Sequence, residues 1–301
     1  MERRILGKIG DSVSAIGFGG SPIGLFKTPQ QDVTRILNTL LDSGVNLIDT
    51  AASYENSEQA IGKAISHRRN EYFLVTKCGP RRWGAWTDKY PSELADDIDR
   101  SLVRLKTEYI DLLLLHSCDL ETLKRFEVIE PLIKARDAGK VRHLGYAGDN
   151  EAAAYAAHMP DISALEITIN LCDHANIRNI LPLAKKYNLG VIAKRPVANT
   201  AWKPLYEQPP IFRIYCKEYS RRFASMRLNT PIGSWLETAI RFTLSQDGVH
   251  TAIIGTTNID HAISNIQIAS KGLLPDITLD KIYRAFEDAE SKSPDPWLAE
   301  T

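Results

Sequence analysis

The feature that most constrains this chain is a rhythm of eight short apolar runs, each followed by a stretch with helical spacing. The runs lie at 13–20, 45–49, 73–77, 111–116, 143–147, 165–169, 190–194 and 251–254. They are rich in Val, Ile and Leu without strict alternation, which suits parallel strands covered on both faces. Between them, apolar residues recur on one helical face, as Leu94, Ile98, Leu102 and Leu105 do. Asn56-Ser57-Glu58-Gln59 resembles a capping box, and Gly139 follows a helical stretch as a stop. Strand–helix alternation repeated to this number predicts closure. The expected architecture is α/β: one (β/α)8 TIM barrel forming a single domain over 1–301, with an N-terminal β-hairpin at 3–10 (RRILGKIG).

The 301 residues suit such a barrel, typically about 250 residues plus insertions. Lys plus Arg equals Asp plus Glu, 37 each, so no global field favours nucleic acid or an anionic membrane. No run approaches the roughly 18 apolar residues of a membrane span. The residues after Met1 form no apolar signal region. Cys78, Cys118, Cys172 and Cys216 show no CxxC spacing and are read as reduced thiols. Together these features read as a soluble cytoplasmic protein. His116, Cys118, Cys172 and His174 are spaced wrongly for a local zinc knuckle, so no metal site is expected.

Two connections exceed the rest, 80–91 and 198–231, and both follow strands on the side where barrel enzymes build their pockets. Trp86 and Trp202 are candidate substrate-pocket residues. The second connection carries Trp202, Tyr206, Phe212, Tyr215, Tyr219 and Phe223. It suits either a cover over a pocket or a surface helix with its own packing cluster.

Three strand ends carry four residues with chemistry. GVNLIDTAASY supplies Asp49 and Tyr54, FLVTK supplies Lys77, and DLLLLH supplies His116. A barrel gathers its strand C-termini at one mouth, so these distant residues can meet. Singly, each has a bland reading: a strand-end cap, a loop aromatic, a snorkelling lysine, a core histidine. In this order, and with GFGG, NSEQAIG and SLVRLKTEYIDLLLLH around them, they resemble the aldo-keto reductases over about residues 3–270. That resemblance implies reduction of an aldehyde or ketone to an alcohol with NADPH, NADH being the alternative cofactor. A tyrosine with its ordinary pKa near ~10 is a poor acid–base group at neutral pH, and an adjacent ammonium favours the phenolate. Tyr54 is thus the expected general acid, Lys77 and Asp49 its support, and His116 the group that orients the carbonyl. The implied partner is a small-molecule carbonyl compound. Some members of that family act as channel-associated or regulatory subunits, which gives a second reading with little or no turnover.

GFGG ends a strand instead of opening a strand–turn–helix, so the Rossmann fingerprint does not apply. The resemblance places the cofactor across the barrel mouth, implying contacts at Gly20, Ser21, Asp49, Glu166, Lys194, Arg195, Pro196, Val197 and Asn199. At the last strand it implies Gly255, Thr256, Thr257, His261 and Asn265, where a helix start suits an anion. The chain departs from the family there, since Gly255 and His261 stand where cations often grip the 2′-phosphate. Around the nicotinamide, Ala147-Gly148 replaces Ser-Asn, Glu166 replaces Gln, and Lys194 replaces a stacking aromatic. The last two changes suggest a Glu166–Lys194 ion pair; alternatively Lys194 and Arg195 face the pyrophosphate.

Overall fold

The computed structural model describes residues 1–79, 86, 90–228 and 231–300. Arg3–Ile5 (β1) and Ser12–Ser14 (β2) form an antiparallel hairpin. Eight further strands follow: Ile16–Gly19 (β3), Leu47–Asp49 (β4), Phe73–Cys78 (β5), Ile110–His116 (β6), Val141–Ala147 (β7), Ile162–Thr168 (β8), Gly190–Lys194 (β9) and Thr251–Ile254 (β10). They pair in parallel in the order β10-β3-β4-β5-β6-β7-β8-β9, and β9 pairs with β10 to close the barrel. The expected barrel is therefore present. Two boundaries differ at its start. The hairpin extends to Ser14 instead of ending by residue 10, and the first barrel strand starts at Ile16 instead of Val13. Val13 belongs to the return strand, paired with Arg4, and its side chain is buried below the barrel.

The strands read as continuous apolar runs because their two faces serve two cores. Along β6, Leu112 and Leu114 join Leu47, Val75, Ala164, Ile192 and Ile253 inside the barrel, while Leu113 and Leu115 pack outward under the helices. Each fully buried leucine contributes roughly 1.5–3 kcal/mol relative to exposure. Leu6 and Val13 of the hairpin close the lower end of that interior. Gly7 makes this docking possible. It has φ +50°, and a Cβ there would lie 2.4 Å from the Gly190 nitrogen.

The ladders are unequal. β6 pairs with β7 from Ile110↔Val141 to His116↔Ala147. In contrast, β3 meets β4 only at Phe18↔Ile48 and Gly19↔Asp49, and β10 meets β9 only at Thr251↔Ile192 and Ala252↔Ala193.

The helix Tyr90–Leu105 buries Leu94, Ile98 and Leu105 as its spacing predicts. Asn56 does precede the helix Ser57–Ile65, but its side chain makes no capping hydrogen bond. Ser57 is instead turned inward, where its hydroxyl donates to the Gly20 carbonyl at 2.8 Å. Gly139, φ +76°, follows the helix Phe126–Asp137.

Most of the expected connection 80–91 lies outside the described residues. Within 198–228 runs the helix Arg213–Met226, packed into a second core with the helices Trp235–Leu244 and Asp276–Glu290. Trp202 contacts Phe223 in that cluster, and Tyr206 is exposed. Here the packing-cluster alternative describes the segment. The four cysteines are free and buried. Among the described residues, no helix is long and apolar enough to cross a membrane, and no group of three His, Cys, Asp or Glu side chains is arranged to hold a metal.

Candidate active site

Asp49 ends β4, Lys77 stands next to last in β5, and His116 ends β6. Adjacent strands thus deliver a carboxylate, an amine and an imidazole to one end of the barrel. Tyr54 comes from the loop after β4, a turn held by Tyr54 N–H to the Ala51 carbonyl and Ser57 N–H to the Tyr54 carbonyl, both 3.0 Å. Ala52 N–H also donates to the Lys77 carbonyl at 3.1 Å, fastening the loop to β5. Behind it runs the short helix Ser21–Leu25, whose Gly24 has no room for a side chain: a Cβ would lie 1.9 Å from the Tyr54 carbonyl oxygen.

The four residues meet. Lys77 Nζ donates to Asp49 Oδ1 and, at 3.0 Å, to the Thr50 carbonyl. The same nitrogen lies 5.4 Å from the centre of the Tyr54 ring, and the Tyr54 and His116 rings meet edge-on at 5.8 Å. Asp49 and Lys77 are buried, while Tyr54 and His116 keep partial exposure. His116 Nδ1 is 3.3 Å from the Ser53 hydroxyl, and Trp86 Nε1 donates to the His116 carbonyl at 3.2 Å.

The suggested Glu166–Lys194 pair is not formed. Glu166 Oε2 lies 3.1 Å from Lys77 Nζ, and Lys194 Nζ lies 2.9 Å from Asp149 Oδ2. Register explains this. Glu166 sits opposite Ile192 and faces the barrel interior, where Lys77 is in reach; Lys194 sits opposite Thr168, one level higher, and reaches across β8. Asp149 was not singled out in the sequence, although it directly follows Ala147-Gly148. It accepts from Thr168 N–H and Asn176 Nδ2, each at 2.7 Å. Its only signal was its place at a strand end before a helix.

Arg195 does not project freely either. Its guanidinium stacks 4.0 Å from the centre of the Tyr215 ring and donates to Thr168 Oγ1 at 3.2 Å and to the Glu300 carbonyl. That carbonyl belongs to a tail fixed by Glu300 N–H to Asp173 (2.9 Å), by Arg222 to the Leu298 carbonyl (2.9 Å), and by Asn150–Ala299 bonds in both directions. The backbone here is unusual: Arg195, Ala198, Asn199 and Thr200 all have φ between 45° and 57°. Such values are uncommon outside glycine, and clusters of them favour functional sites. Pro196 and Val197 lie between them, Pro196 buried and Val197 half-buried.

Gly20 and Ser21 begin the short helix behind Tyr54, and a Gly20 Cβ would lie 2.8 Å from the Asp49 carbonyl. Beyond β10, Gly255 and Thr257 are exposed and Thr256 half-buried. Asn258 caps the helix Ile259–Ala269, accepting from Asp260 and His261 N–H. His261 is exposed and Asn265 buried, beside a crevice lined by Gly17, Phe18 and Thr256.

Electrostatics follow from burial and charge. Burial pushes the Tyr54 phenol well above its ordinary range, with Lys77 pulling the other way. Burial is the larger effect, and the residue types at the strand ends reveal only the smaller one. Burial also raises the Asp49 carboxyl, helped by repulsion from Glu166 and opposed by Lys77. His116 is lowered to about 3 by burial, then by Lys77, Lys194 and Arg195. Its imidazole is therefore neutral at ordinary pH.

The model of the aldo/keto reductase family matches residues 15–285 of this chain. The chain is 29% identical over 287 residues to the uncharacterized oxidoreductase YqkF of Bacillus subtilis, covering 90% of this chain and 92% of that protein. It is 25% identical over 292 residues to L-galactose dehydrogenase of Arabidopsis thaliana, covering 88% and 87%. Its fold is similar to that of the holo form of aldo-keto reductase AKR11C1 from Bacillus halodurans, with TM-score 0.80, 26% identity, and 95% and 96% of the two chains covered. The protein belongs to the aldo/keto reductase family. It is accordingly an NAD(P)H-dependent oxidoreductase of a family that acts on small-molecule carbonyl compounds.

Proposed function

We propose that this protein reduces an aldehyde or ketone with NADPH, Tyr54 giving the proton. The convergence of Asp49, Tyr54, Lys77 and His116 at one end of the barrel carries this reading. When bound, the reduced nicotinamide supplies the hydride to the carbonyl carbon. Tyr54 gives its phenolic proton to the oxygen as negative charge develops there. Lys77, buried between Asp49 and the Thr50 carbonyl, stays cationic and stabilises the phenolate left behind. His116 is neutral, so it serves as a hydrogen-bond donor that orients the carbonyl without competing as an acid.

One feature fits a nicotinamide at this mouth: Glu166 Oε2 is a buried acceptor with no hydrogen-bond partner among the described residues, suited to a carboxamide N–H. Gly20, Ser21, Asn199 and the segment from Gly255 to Asn265 would line the remainder. Gly255 and Thr257 are exposed beside the helix Ile259–Ala269, whose first amides are already taken by Asn258, so the choice of NADPH rests on the family resemblance. Lys194 and Arg195 have protein partners, so their contribution is a positive field more than a direct grip.

Tyr54→Phe tests the assignment. It should lower kcat for carbonyl reduction by at least about a hundredfold while leaving NADPH affinity, measured by fluorescence titration, nearly unchanged. Turnover near that of the parent would remove Tyr54 from the mechanism.

A further inference from the structure

Glu166 brings a second negative charge to Lys77, and the mechanism above uses only the first. Its Oε2 lies 3.1 Å from Nζ with both side chains buried, yet it makes no aligned hydrogen bond among the described residues. The aligned bonds of the ammonium go to Asp49 and the Thr50 carbonyl. One buried ammonium therefore faces two carboxylates, delivered by β4 and β8 from different parts of the barrel wall.

We propose that Glu166 is a positioning residue for proton transfer, which by sharing Lys77 with Asp49 weakens the pull of the ammonium on the Tyr54 phenol and biases the site toward giving a proton. This role rests on the reading of Tyr54 as the proton donor. Around Tyr54, Lys77 from β5 and Arg195 after β9 favour the phenolate, and Asp49 from β4 and Glu166 from β8 oppose it. His116 from β6 meets the ring as a neutral group, and Lys194 is paired with Asp149. A glutamine at position 166 would leave Lys77 with a single carboxylate.

The direction of the bias follows from the balance of the step. In reduction, hydride adds to the carbonyl carbon, the C=O π pair moves to oxygen, and that oxygen takes the Tyr54 proton, leaving phenolate. In alcohol oxidation the phenolate takes the hydroxyl proton while hydride leaves to the oxidised cofactor. Charge that disfavours phenolate keeps the donor loaded for reduction and starves the reverse reaction of base.

Two measurements test this role. A fluorinated tyrosine introduced at position 54 carries a more acidic phenol, and fluorine NMR follows its ionisation in the cofactor-free protein. Glu166→Gln should move that transition down by about one pH unit, tenfold in the ionisation constant. In the otherwise natural protein, Glu166→Gln should raise alcohol oxidation at alkaline pH several-fold while reduction at neutral pH is not improved. Glu166→Asp, which keeps the charge but withdraws it, should fall between the two. If Glu166→Gln does not fold, Glu166→Asp must still lower the transition. An unmoved transition in the folded variant overturns the role of Glu166, whatever happens to turnover. Retained turnover in Tyr54→Phe would instead overturn the donor assignment on which this role depends.

Discussion

Lys194 and Asp149 illustrate how strongly a partner's other bonds decide what a charge is worth. Without Lys194, Asp149 keeps its hydrogen bonds from Thr168 and Asn176. Without Asp149, the Lys194 ammonium is left partly desolvated beside Arg195. Asp149→Ala should therefore cost about 3–5 kcal/mol in urea unfolding, and Lys194→Met only about 1–3 kcal/mol. The double variant should cost less than the two together, and additive losses would show that the pair is not coupled. The strand ends were legible in the sequence as changes from apolar to polar, and the residues proposed to react stood out there through their order and the resemblance to the aldo-keto reductases. Their pairing was not. Glu166 and Lys194 lie on neighbouring strands, but whether two side chains stand at one level depends on register, which residue types do not encode. Asp149 was overlooked because a strand-end aspartate before a helix has an ordinary reading as a cap.

The elements around the mouth hold Tyr54 by contact as much as by hydrogen bonding. Gly24 in the helix Ser21–Leu25 is the tightest point, since any Cβ must displace the Tyr54 carbonyl. Gly24→Ala should shift the loop that carries Tyr54, lowering kcat by roughly tenfold or more if Tyr54 gives the proton, and should cost about 1–3 kcal/mol in stability from overpacking. Steady-state kinetics alongside thermal unfolding check both, and parental kcat in a folded variant would mean that the loop absorbs the change. At this scale the strand–helix alternation was readable because barrel strands are buried on both faces. The break between β2 and β3 was hidden, since Val13 is as apolar as the residues of β3 but is buried beneath the barrel. The left-handed run through Arg195 and Ala198–Thr200 was equally hidden. No glycine marks it, and tertiary bonds hold it, including Gln208 Nε2 to the Thr200 carbonyl at 2.9 Å.

Across the whole molecule, four desolvated groups make opposing demands as pH falls. His116 and His174 are lowered from 6.5 to about 3, mainly by burial, His174 being stacked 3.8 Å from Phe286. For each, the unfolded chain takes up a proton first, so stability present above 6.5 is lost as pH falls toward 3. Asp173 is raised from 3.8 to about 7, and Asp49 is raised as well, chiefly by burial. For Asp173 the folded chain holds the proton, so its contribution is complete below 3.8 and lost as pH rises through about 7. Between about pH 4 and 6 the Asp173 contribution opposes those of the two histidines. Asp173→Asn should unmask the histidines: relative to the parent, its stability should fall with decreasing pH by about 1.4 kcal/mol per unit below neutrality. His174→Gln should tilt the profile the opposite way. Parallel profiles for parent and variants in urea unfolding across that range would contradict the assignment. The unequal ladders have a consequence for motion. Walls joined at two positions can part more readily than one paired along its length, so backbone amides of β3, β4 and β10 should trade hydrogen for deuterium sooner than those of β6 and β7. The barrel then breathes along its β3–β4 and β9–β10 seams, beside Asp49 and Gly255, and a cofactor spanning the mouth would act as a clasp that quiets them.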